Sequence, residues 1–158
     1  MTPPPPLPAP APARLRPSER ALAALLALGA LSVLVVAASL KPSATGITTH
    51  AALGLPPCGF EATTGYPCMT CGMTTSFAWA VRCNLVASLW VQPMGTILAL
   101  LCAVVFWGGL YAAATGSCIH RVVSGVPLRT WTWVFFAMTA AAWLWKVYIH
   151  RTGQDGWP

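Results

Sequence analysis

A chain of 158 residues that is 56% hydrophobic and only 8% charged has too little polar surface to cover a water-soluble globule, for which about 45–50% and about 25% are usual. The formal net charge of +6 comes from nine scattered basic residues against three acids. With no basic stripe and no interleaved aromatics this excludes a nucleic-acid partner, and three acids leave almost no material for carboxylate acid–base catalysis. The composition points to a membrane protein, the long apolar runs taken in order below to an all-α integral membrane protein, and the length to one small domain.

Residues 1–17 open with a Pro/Ala tract, MTPPPPLPAPAPA. Such a tract buries too little to order itself, and a disordered cytoplasmic tail is expected. Ser18 is a candidate N-cap and Glu19 suits a first helical turn. The membrane domain then runs over 18–151. Its first span is expected at about 21–40, twenty residues without a charge. This run is longer than the apolar core of a signal peptide, so an uncleaved helix is the better reading. Lys41-Pro42 ends it, and a Thr/Gly/Pro loop containing His50 follows.

The cysteine loop occupies 57–72, PCGFEATTGYPCMTCG. It carries Cys58, Cys68 and Cys71, the last two as a C-x-x-C pair at the start of a helical pattern. Gly72 to Trp90 reads as one short amphipathic helix, interfacial or re-entrant. Met73, Phe77, Ala80, Val81 and Leu85 share a face, and Arg82, Cys83 and Asn84 interrupt it. The second span is expected at about 94–115. There Gly109 and Ala113 belong to a small-residue face suited to close helix packing, against this chain, another copy or another membrane protein. The third span is expected at about 131–149, with tryptophans at both ends as interfacial belts and Lys146 snorkelling outward. Residues 152–158 form a polar tail.

Three spans with the N-terminus inside place Arg14, Arg16, Arg20, Arg121 and Arg129 on the cytoplasmic side. They leave Lys41, Arg82 and Arg151 outside, as the positive-inside tendency prefers. The cysteine loop is then exoplasmic, where disulfides persist. Cys118 falls in the inner loop, and Cys102 lies mid-span as a small apolar residue.

Cys58-Gly59-Phe60, Thr64-Gly65-Tyr66-Pro67, Cys68-Met69-Thr70-Cys71-Gly72-Met73-Thr74, Asn84-Leu85 and Gln92-Pro93-Met94 together resemble domain-of-unknown-function family 2752, a group of small bacterial membrane proteins. The chain departs from the family pattern at four places. Met69 stands for the usual proline, Thr75 for an arginine, Asn84 for an aspartate and Gln92 for an asparagine. The resemblance implies a bacterial membrane protein, for which the inner membrane is the expected location, and implies no reaction.

Three readings of the loop cysteines stay open. A structural staple would pair Cys58 with Cys68 or Cys71, closing a loop worth roughly 3 kcal/mol, in a membrane packing or partner-binding module without turnover. A zinc site would use Cys58, Cys68 and Cys71 with Cys83 or His50 as fourth ligand, Glu61 being a weaker choice. A thiol–disulfide oxidoreductase would use Cys68 and Cys71, with Cys58 as an additional cysteine and Cys68, at the helix start, as nucleophile.

Overall fold

The structure, a computed structural model, describes residues 14–117 and 127–157. The Pro/Ala tract and the inner-loop position of Cys118 lie outside the described residues. Three long helices dominate: α1 (Pro17–Ser39), α5 (Pro93–Thr115) and α6 (Leu128–Arg151). Each is long and apolar enough to cross a membrane. Between α1 and α5 come a 3-10 helix (Thr49–Leu53), α2 (Gly59–Thr64), α3 (Met73–Ala80) and α4 (Leu85–Val91). The chain is all-α with three candidate spans and short helices between the first and second.

Helix α1 begins one turn earlier than its apolar run. Pro17, whose fixed φ suits a first turn, follows Arg16 at the cap, and Glu19 accepts a hydrogen bond from the Arg16 amide at 2.7 Å. The cap is therefore Arg16 rather than Ser18. Proline sets the start of α5 as well, at Pro93, and Gly116 at φ 72° ends it.

Helices α1 and α5 form the main packed pair. Small residues allow it: Ala27, Ala30 and Ala37 of α1 and Ala99 and Ala112 of α5 are buried. A Cβ on Gly109 would lie 2.8 Å from the Ala23 carbonyl oxygen. The close approach expected at Gly109 is thus made within the chain, to α1. At the same end Arg20 donates to the carbonyls of Ala113 at 2.9 Å and Ala114 at 3.1 Å, satisfying the free carbonyl end of α5. Ala113 contributes its backbone there.

The segment 72–90 is two helices, not one. The break falls at residues 81–84. The backbone at Cys83 turns to φ 60°, and Asn84 caps α4 by accepting from the Ala87 amide at 3.1 Å. The break folds α4 back on α3 around a buried hydroxyl cluster. Ser76 Oγ lies 2.8 Å from Ser88 Oγ and 3.1 Å from Thr96 Oγ1, and Ser88 Oγ lies 2.7 Å from Thr96 Oγ1. Gly95 makes room for it, since a Cβ there would sit 2.8 Å from Ser76 Cβ.

These short helices form a cap over one end of the bundle, where α1 finishes, α5 starts and α6 finishes. Helix α6 makes few contacts along α5, and its first half is exposed, Trp133 and Phe136 included. Its last turns are what hold it. Trp143 Nε1 donates to the Pro67 carbonyl at 3.1 Å and Trp145 Nε1 to the Trp90 carbonyl at 2.8 Å. Those two indoles tie α6 to the cap.

Candidate functional site

The cysteine loop is built from a helix end and a tight turn. Cys58 stands at the N-cap of α2, and α2 closes on Gly65 at φ 72°, whose amide donates to the Glu61 carbonyl at 2.8 Å. Tyr66-Pro67 then leads into Cys68. The Cys71 amide donates to the Cys68 carbonyl at 3.1 Å, closing a turn that brings the C-x-x-C thiols to one side. Gly72 follows at φ 86° with the Gly46 carbonyl oxygen 2.9 Å from where a Cβ would be. Only glycine takes that backbone in that space.

The outcome is a convergent set. The sulfurs of Cys58, Cys68 and Cys71 all lie within 4.8 Å of one another. Cys68 Sγ is 3.1 Å from Cys71 Sγ and 3.2 Å from Thr70 Oγ1. Cys71 is buried and the other two half-buried. No disulfide joins the five described cysteines. Among the described residues neither Cys83 nor His50 enters the set. Cys83 is exposed at the far end of α3, about 12 Å of helix away. His50 rides on the 3-10 helix, whose neighbouring Thr49 is tied to Thr75 at 2.8 Å. Glu61 also stays out of the set.

The two C-x-x-C thiols differ electrically. Burial pushes Cys68 up, but hydrogen bonds to its thiolate from the Thr70 hydroxyl, Cys71, the Thr70 amide and Cys58 outweigh it and bring it down to about 7. Burial, followed by the bond and charge of Cys68, pushes Cys71 well up. Cys68 is the thiol that ionises first.

Three side chains grip the loop by its backbone. His150 Nε2 lies 3.1 Å from the Gly65 carbonyl, Trp143 donates to Pro67, and Gln92 Nε2 donates to the Met69 carbonyl at 2.9 Å. Alternate carbonyls are thus fixed along the approach to Cys71. Behind the loop, Lys146 is fully buried, not snorkelling. Its Nζ lies 3.2 Å from Asp155 Oδ1, and Asp155 Oδ2 lies 2.6 Å from His150 Nδ1. The Lys146 Cε is 3.4 Å from the Cβ position of Gly72, so the buried pair stands directly against the cysteine turn. Sequence reasoning missed Lys146, Asp155, His150 and Gln92. The one signal for Asp155 is an acid flanked by glycines, Gly153 and Gly156, just past the third span.

A bundle of three apolar helices closed at one end by a cysteine-bearing cap defines a small helical membrane protein. Residues 58–106 match the family model described as protein of unknown function (DUF2752), from the first loop cysteine into α5. This is the family that the cysteine and Thr-Gly-Tyr-Pro pattern resembles. No curated protein and no solved structure matches the chain.

Proposed function

We propose that the cysteine loop is a structural metal site, binding one zinc ion through Cys58, Cys68 and Cys71 and so locking the cap onto the ends of the three spans. The observation that carries this is the convergence of three sulfurs within 4.8 Å of one another. Zinc–sulfur bonds of about 2.3 Å in a tetrahedron separate sulfurs by about 3.8 Å, a spacing this set reaches by small side-chain rotations. Closed structural sites have four ligands. The fourth here would be a group from a partner protein, as a membrane packing or partner-binding module would supply, since three protein ligands with a water make the open, catalytic arrangement. The cap faces the exoplasm and the N-terminus the cytoplasm of the bacterial inner membrane. Supporting this side are the arginines at the opposite end of the bundle, Arg14, Arg16, Arg20 and Arg129.

Metal analysis and thiol mass-tagging of the same purified preparation test the reading. One zinc per chain is expected, lost in Cys58→Ser, Cys68→Ser and Cys71→Ser and retained in Cys83→Ser. Three free thiols without metal would refute it. A second reading, thiol–disulfide exchange, is favoured by the 3.1 Å separation of Cys68 and Cys71 and by their unequal acidities. It expects acid-trapped cells to hold a Cys68–Cys71 disulfide whose fraction moves with oxidant supply.

A further inference from the structure

Between the last two turns of α1 and the face of α3 runs an apolar groove of about 340 Å³. Val33, Val36 and Leu40 form one wall, Met73 and Phe77 the other, and Leu53 of the 3-10 helix closes the cap end. Val33 to Leu40 spans about 10 Å of helix axis, so the groove runs along a candidate membrane span from the cap toward the bilayer interior. One side of the groove is open.

Its size restricts the occupant. A helix of this chain or another is about 10–12 Å across with its side chains and would not enter; a single flexible hydrocarbon chain would. Its rim adds charge. Lys41 follows Leu40 directly and is exposed. Arg82 reaches over the outer end of α1, donating from Nη2 to the Ala38 carbonyl at 3.2 Å and from Nη1 to the Ala78 carbonyl at 2.7 Å. A guanidinium has five N–H donors, so Arg82 keeps donors to spare. Two cations at the polar end of an apolar slot complement a phosphate carried at the head of an acyl chain.

We infer that this groove holds one acyl chain of a phospholipid from the cap-side leaflet, with its phosphate drawn to Arg82 and Lys41. The site lies outside the cysteine cluster and does not depend on metal there.

Native mass spectrometry of the full chain, released from detergent and titrated with dioleoylphosphatidylglycerol, tests the inference. Wild type should retain one lipid. Val36→Trp, which fills the slot from a partly exposed position, should abolish retention. Val104→Trp, on the exposed face of α5, should not, and that pair separates slot filling from general damage. Lys41→Gln should weaken binding about fivefold, the effect of one cation near a phosphate-bearing surface, and Arg82→Gln by at least as much. Dioleoylglycerol, which has the chains without the phosphate, should bind more weakly than the phospholipid. Inorganic phosphate alone should not be retained. Equal retention by wild type and Val36→Trp, equal loss in Val36→Trp and Val104→Trp, or retention of inorganic phosphate would each overturn it.

Discussion

Two adjacent glycines of α5 offer a test of the α1–α5 interface in which the chemistry is held constant. Gly109→Ala sets a methyl 2.8 Å from the Ala23 carbonyl oxygen and 3.1 Å from Ala27 Cβ. Neither atom can swing aside, so the helices must part. Overpacking of this kind costs about 1–3 kcal/mol, and the gain in helix propensity from glycine to alanine returns about 1 kcal/mol. The net expectation is a loss of up to about 2 kcal/mol. Gly108→Ala meets nothing within 4 Å and should be neutral or stabilising by up to about 1 kcal/mol. Thermal unfolding followed by intrinsic fluorescence in one detergent, with titration by a denaturing detergent as a second axis, reads the difference. If Gly109→Ala is as stable as Gly108→Ala, α1 does not pack on α5 through that face, and the bundle described above is wrong at its centre.

Other expectations follow from the cap. Asp155→Asn leaves the Lys146 ammonium buried without its counter-charge, which should cost about 3–5 kcal/mol. Adding Lys146→Met to it should recover part of the loss, and a double mutant no more stable than the single would argue against the pair. In metal-free protein the alkylation rate of Cys68 should rise with pH through about 7, while Cys71 lags. Thr70→Val, which removes a hydroxyl donor, should move that midpoint upward, and an unmoved midpoint would deny the hydroxyl its role. Because folding favours the Cys68 thiolate, its contribution to stability is present at high pH and is lost as pH falls through about 7. Gly95→Ala should break the Ser76–Ser88–Thr96 cluster and lower the melting temperature, whereas Gly29→Ala, with open space around it, should not.

Hydropathy made the three long helices legible, because long apolar runs with almost no charge admit few structures other than a membrane helix. Punctuation made the cysteine turn legible, since Pro67, Gly65 and Gly72 bracket it. The division of 72–90 was signalled by Asn84, a good helix cap, yet the apolar face running through Met73, Phe77 and Leu85 masked it. Lys146 was misread for a different reason. A lysine near the end of an apolar helix ordinarily reaches for water, and here the chain after Arg151 turns back and supplies Asp155 instead. The same return explains Trp143 and Trp145, whose belt-like spacing hides hydrogen bonds to carbonyls of Pro67 and Trp90. Contacts between segments some 55–85 residues apart leave no periodicity to read.

The return of the tail also sets an order of assembly. A Cβ on Gly46 would run into the Asp155 carbonyl, and one on Gly156 into the Ala44 carbonyl, so the strand of chain after α6 lies directly on the loop after α1. Residues 44–46 are synthesised long before 155–156. The cap cannot close until α6 has formed and delivered its far end. Until then the Cys58–Cys71 segment lacks its contacts with Lys146, Trp143 and His150. Closure therefore buries Cys71 last, while Cys58 and Cys68 keep part of their surface open in the finished molecule.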